Sequence, residues 1–161
     1  MSDLAIPKVT IRASQPVHSP RYDGGRSAGA AMYEITTDDE HAIVAFQLSG
    51  LVRDEEIDEF VAELQSATMA LAGREIKIRA DLRAFSPASQ EVADKIRAVQ
   101  EFGIQNGVKR VAEIVESDIV ALQLNRVARE SGTEKILRRF WEEESAREWL
   151  IYGDRDGATG T

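Results

Sequence analysis

The chain has no cysteine, two histidines, four prolines and an aromatic content of 6%. Without cysteine there is no disulfide framework, no thiolate nucleophile and no cysteine metal site. His18 and His41 lie far apart in dissimilar contexts, a pattern that does not suit zinc, which needs several clustered ligands. No apolar run approaches the ~18 residues that span a bilayer. The opening MSDLAIPKVT lacks the basic flank and long apolar stretch of a secretory leader, so a cytoplasmic protein without membrane association is expected. Positive charge is also scarce: 20 Lys and Arg stand against 28 Asp and Glu, a net charge of -8. That balance disfavours nucleic-acid binding. Glycine-rich phosphate loops of the G-x-x-x-x-G-K-[ST] or G-x-G-x-x-G type, the G-x-S-x-G elbow and H-E-x-x-H are all missing. No catalytic residue, cofactor or metal is therefore expected, and the cluster Asp54, Glu55, Glu56, Asp58 and Glu59 reads as a solvated helix start.

What is present is an ordinary globular composition, 43% hydrophobic and 30% charged over 161 residues, with an uneven charge. Residues 1–32 hold four basic and two acidic residues, a balance of +2, so the other 129 carry -10. The same segment holds Pro7, Pro16, Pro20 and the Gly24-Gly25 pair. Proline fixes φ and removes donors while glycine loosens the chain, so residues 1–32 read as an extended arm without a regular packed element. Residues 152–161 read as a flexible tail.

Between them the periodicity is clear. Tyr33–Thr36 and Ala42–Leu48 flank the turn-like Asp38-Asp39-Glu40 and predict a hairpin. Ile57, Phe60, Val61, Leu64 and Leu71 mark a helix from Asp54. Glu75–Leu82 alternates as a strand, and Ser86-Pro87 offers an N-cap with proline at the first helical position of a helix running to Gly103. Val108–Val115 predicts a strand, Ser117-Asp118 to Gly132 a helix, Lys135–Trp141 a strand, and Glu142 onward a closing helix. The order ββαβαβαβα over 33–151 implies an α/β domain with a mixed, mostly parallel sheet.

One stretch joins a strand end to a helix start: Asp81, Leu82, Arg83, Ala84, Phe85, Ser86, Pro87, Ala88, Ser89. In an open α/β sheet the crevice beyond the carboxyl ends of the strands is the favoured ligand site. A phosphate on Ser86 or Ser89 would sit at a helix N-terminus. Alternatively, Ser86 caps the helix and Asp81 satisfies the loop backbone. Asp81, Arg83, Ser86 and Ser89 are the candidate recognition residues.

This order resembles the STAS domain, named for sulfate transporters and anti-sigma-factor antagonists, and within it the SpoIIAA-like group. The segments that carry the resemblance are Phe46-Gln47-Leu48-Ser49-Gly50-Leu51, Ile78-Arg79-Ala80-Asp81-Leu82-Arg83, and Phe140 to Leu150 with its E-x-A-x-x-W-L step. The resemblance covers about residues 33–151. It implies a STAS-like fold and a non-enzymatic, regulatory mode of action through protein partners. The regulatory antagonists carry Asp-Ser-[Ser/Thr]-Gly-Leu in this loop, whereas this chain has Pro87-Ala88-Ser89-Gln90-Glu91-Val92, without the preceding aspartate or the following glycine.

Two further readings stay open. The arm, with Val9, Ile11, Arg12, Arg21 and Tyr22, could bind neighbouring copies or a scaffold, Val9-Thr10-Ile11 adding as a strand to a sheet edge. A small apolar ligand or nucleotide could sit among Phe85, Phe102, Phe140, Trp141 and Trp149, although such aromatics are more often core.

Overall fold

The computed structural model describes residues 8–12 and 32–154. Arg21, Tyr22, His18 and the tail beyond Asp154 lie outside the described residues. The strands are β1 (Lys8–Arg12), β2 (Met32–Asp38), β3 (Ile43–Ser49), β4 (Ile76–Asp81), β5 (Val108–Ile114) and β6 (Leu137–Phe140). The helices are α1 (Asp54–Met69), α2 (Gln90–Gln105), α3 (Asp118–Ser131) and α4 (Glu143–Tyr152), with a 3-10 turn at Thr133–Lys135. The five strands β2–β6 form the sheet of the expected mixed α/β fold, and β1 extends it at one edge. The β2–β3 pair is an antiparallel hairpin, while β3 to β6 run parallel in sequence order. Among the described residues no helix is long and apolar enough to cross a membrane.

The arm departs from expectation. Lys8–Arg12 is a regular strand, antiparallel to β2 with Val9 opposite Thr37 and Ile11 opposite Ile35. The edge of β2 offers a row of unpaired N–H and C=O groups, and a β-branched Val-Thr-Ile run suits pairing there. The strand thus adds to an edge of its own sheet.

The two faces of the sheet are covered unequally. Tyr33, Ile35, Val44, Leu48 and Ile78 pack with Ile57, Phe60 and Leu64 of α1, Val92 and Val99 of α2 and Val120 and Leu124 of α3. On the other face Ile43, Ala112 and Ile114 meet Ala146 and Leu150 of α4, with Phe140, Trp149 and Ile151 packed against them. Three crossover helices therefore line one side, and the closing helix covers part of the other.

Helix ends follow local chemistry except at α2. Arg53 N–H donates to the Glu56 carboxylate (2.9 Å) at the start of α1. Ser117 caps α3 by accepting from Val120 N–H (3.2 Å), and Gly132 ends it in the left-handed region at φ +86°. For α2 the cap is Ser89, whose hydroxyl accepts from Val92 N–H (3.1 Å), so Ser86 is not the cap and Pro87 precedes the helix. Tertiary contacts outweigh the local Ser-Pro signal. Gln123 of α3 accepts from Ala88 N–H (2.8 Å) and donates to Ala88 C=O (2.7 Å). The Ala88 carbonyl, which a helix starting at Pro87 would spend on Val92 N–H, is thereby held by Gln123, and Val92 N–H goes to Ser89 instead.

Candidate functional site

Because β3 to β6 are parallel, the segments that follow Ser49, Asp81, Ile114 and Phe140 all emerge at one end of the sheet. The loop from Leu82 to Ser89 crosses this end and is tied on both sides. Gly50 N–H donates to Ala84 C=O (2.9 Å), Ser86 N–H donates to Gly50 C=O (3.1 Å), and Leu82 N–H donates to Ile114 C=O (2.8 Å). With the Gln123 clamp these bonds hold the loop as a fixed surface. Phe85 is buried beneath it, while Ala84, Pro87 and Ser89 face solvent.

Asp81 and Arg83 come together as expected for a loop anchor. Arg83 Nε and Nη2 donate to the two Asp81 carboxylate oxygens (3.0 and 2.7 Å), and Arg83 N–H also reaches Oδ1 (3.2 Å). Burial opposes ionisation of Asp81, but the hydrogen bonds and charge of Arg83 outweigh it and hold the carboxyl below its ordinary value. Arg83 Nη2 continues to Glu143 at the start of α4 (3.0 Å). Glu143 in turn lies 3.5 Å from Arg79 Nη1. Glu143 is a link that sequence alone does not signal, since its partners lie 60 or more residues away.

The four candidates separate by exposure. Asp81 is buried and Arg83 half-buried, so both act as scaffold; Ser86 is half-buried with its N–H spent on Gly50. Ser89 is exposed at the N-terminus of α2. Around the same end of the sheet stand large apolar side chains open to solvent: Leu51, Ile119, Leu122 and Trp141, the last 75% exposed. The helix that carries Leu122 also carries Arg126, whose Nη2 reaches the Gln90 side chain next to Ser89 (3.1 Å).

Beneath the loop lies an apolar cavity of about 70 Å³ between α1, α2 and the sheet. Phe46, Phe60, Phe85 and Phe102 line it, and Glu113 and Thr133 supply polar atoms. Ligand pockets usually begin near 300 Å³, and even a benzene-binding cavity needs about 150 Å³. The space is therefore a packing gap in this conformation. Of the expected aromatic set only Phe85 and Phe102 belong to it. Phe140 and Trp149 pack together on the opposite face (5.7 Å between centroids), and Trp141 is exposed.

Glu113 is the polar residue that periodicity passes over. It is 2% exposed and accepts from Arg139 Nε (3.2 Å) and Nη2 (2.5 Å). Burial pushes its carboxyl above the ordinary range, and Arg139 pulls partly back. A charge inside Val111-Ala112-Glu113-Ile114-Val115, with arginines in the next strand, is the signal that marks such a pair. His41 is half-buried, its Nδ1 3.0 Å from Asp38 Oδ2. Asp38, Glu40 and His41 bring ligand atoms within 4.8 Å of one another. The Asp38 oxygens are already engaged by Glu40 N–H, His41 and Arg147, which makes the group a turn anchor.

A family model described as SpoIIAA-like matches residues 43–151. Among solved structures, the chain is similar to an uncharacterized protein from the DUF3478 family with a SpoIIAA-like fold, from Shewanella loihica PV-4. The identity is 17%, the TM-score 0.50, and the match covers 93% of this chain and 98% of that one. That likeness bears on the fold alone. No curated protein matches the sequence.

Proposed function

The chain belongs to the SpoIIAA-like family, and on that premise we propose that it is a non-enzymatic regulatory module of the bacterial cytoplasm, acting by binding a protein partner in the manner of an anti-sigma-factor antagonist. The observation that carries this reading is the end of the sheet where the parallel strands finish. An exposed serine at a helix N-terminus stands there on a pinned loop, at the same end as Leu51, Ile119, Leu122 and Trp141. Exposed aromatic and aliphatic anchors beside a rigid polar element are the usual make-up of a protein-binding surface. A phosphate on Ser89 would keep the capping bond to the first turn, gain from the helix dipole and lie next to the residue that Arg126 holds. It would add about two negative charges to the centre of the surface without unfolding it.

The test is affinity capture from the native cell with three baits: the full chain, Ser89→Asp, and the chain without residues 1–32. The expected result is a discrete partner that the full chain retains and Ser89→Asp binds differently by about tenfold or more. Leu122→Ser, a change on an exposed helix face, is expected to weaken the same complex. Equal retention by the full chain, Ser89→Asp and Leu122→Ser would refute the assignment of this surface. Loss on removing residues 1–32 alone would favour the arm as the binding element.

A further inference from the structure

The opposite face of the sheet carries a second concavity, remote from the Leu82–Ser89 loop. Because α4 covers only part of that face, a cleft of about 100 Å³ remains between it and strands β2 to β4. Thr36, Thr37 and Asp38 of β2, Arg79 of β4, and Arg147 and Leu150 of α4 line it. Unlike the cavity under α1 and α2, its walls combine hydroxyls with two guanidinium groups.

We propose that this cleft binds a small oxyanion of the phosphate class, held by Arg79 and Arg147 with the Thr36 hydroxyl at its side. Arg79 is the central donor. Its side chain is only 26% exposed, and its Nε is buried without a hydrogen-bond acceptor among the described residues. Leaving such a donor unspent in a desolvated position is costly, and an anion that draws the guanidinium towards the cleft repays that cost with a charge-assisted bond. Among the described residues the only ion pair of Arg79 is the 3.5 Å approach of Nη1 to Glu143, so Nε has no acceptor of its own there. Guanidinium suits this task because its planar fork matches two oxygens of a phosphate.

Arg147 is the second donor, and it is shared. Its Nη1 lies 3.2 Å from Asp38 Oδ2. Asp38 is the one carboxylate lining the cleft among the described residues, and its charge opposes an incoming anion. Its oxygens are otherwise engaged by Glu40 N–H (3.1 Å), His41 N–H (3.3 Å) and His41 Nδ1 (3.0 Å), so the turn retains it when Arg147 moves. Lys77, two residues before Arg79 on the same strand face, adds positive charge. Burial, and then the charge of Arg110, hold its ammonium below the ordinary value. A cleft of this volume admits several waters, and a single phosphate group is of that size.

The experiment is an NMR titration of the full chain at constant ionic strength, first with inorganic phosphate and then with glycerol 3-phosphate. Saturable shifts centred on Thr36, Arg79 and Arg147 are expected. Saturation by inorganic phosphate assigns a free-anion site, and tighter saturation by the monoester assigns an organic phosphate head group; both support the cleft. Arg79→Gln and Arg147→Gln should each weaken binding by about tenfold. Asp38→Asn should strengthen it, because a like charge leaves the wall. Arg138→Gln, an exposed position paired to Asp154, should leave it unchanged. Should Arg79→Gln fail to fold, Arg147→Gln, at a half-exposed helix position, decides by itself. Shifts that do not saturate, that spread over the surface, or that weaken equally with Arg138→Gln overturn the proposal.

Discussion

The Glu113–Arg139 pair allows a prediction whose size follows from its asymmetry of burial. Glu113 is 2% exposed and Arg139 26% exposed. Replacing Arg139 by methionine keeps most of the side-chain bulk but leaves a carboxylate in an apolar interior with its two donors gone. Breaking a buried ion pair from one side usually costs 3–5 kcal/mol. Since Arg139 retains a quarter of its exposure, and water reaches that end, the lower limit applies, about 3 kcal/mol. In a chain of this length that is a fall of about 6–12 °C in Tm. Glu113→Gln is milder, because the amide oxygen still accepts from Arg139 and the guanidinium keeps its bond to Asn125 Oδ1 (2.8 Å); about 1 kcal/mol is expected. The double variant should recover about 2 kcal/mol relative to additivity.

The pH dependence gives the same argument a sign. Burial raises the Glu113 carboxyl above its unfolded value of 4.5. A group raised in the folded state contributes stability below its unfolded value and loses it as pH rises through the folded one. Removing Arg139 removes the opposing pull and raises the folded value further. The deficit of Arg139→Met should therefore be largest near pH 7 and shrink as pH falls towards 5. Urea denaturation followed by circular dichroism, with unchanged m-values, measures both effects. A deficit below about 1 kcal/mol at pH 7, or one that does not change with pH, would refute the claim that Arg139 neutralises a buried charge.

Two further outcomes are expected. Gly132→Ala places a side chain at φ +86° where the nearest atom is 4.0 Å away, so the cost is backbone strain alone, about 1 kcal/mol by thermal denaturation. Asp38 and Asp81 are both held below their ordinary value of 3.8: burial opposes ionisation, and His41 for the one and Arg83 for the other outweigh it. Their contribution is thus present above that value and lost as pH falls below it. A Tm profile from pH 5 to pH 2 should drop steeply in wild type and less so in Arg83→Gln.

The element order was legible because it rests on local periodicity. Ile57, Phe60 and Leu64, or Val120, Leu124 and Val127, recur at helical spacing, and they are the buried residues of α1 and α3. Ser117 and Gly132 act where they stand, since capping needs only neighbours within a turn. The fold family was legible for a related reason: the three motifs at the ends of β3, β4 and β6 are continuous stretches. Where the sequence misleads, a partner distant in the chain intervenes. Ser86-Pro87 carries every local sign of a helix start, yet Gln123, 35 residues on, takes the Ala88 backbone and moves the start to Ser89. The Val9-Thr10-Ile11 run suits a strand at a sheet edge, but nothing local says that Lys8–Arg12 takes the edge of β2 in its own sheet.

The sequence by itself therefore determined β2 to β6, the four helices apart from the start of α2, the cores of α1 and α3 and the family, all of which depend on residues within a few positions of one another. Only the tertiary structure decided which face each strand residue meets. That choice sends Phe85 and Phe102 to one side of the sheet and Phe140 and Trp149 to the other. It also brings Glu113 to Arg139 by strand pairing and Arg79 to Arg147 by the packing of α4 on the sheet, joining residues 26 and 68 positions apart. No spacing rule encodes such pairs, and the chemistry of both candidate surfaces depends on them.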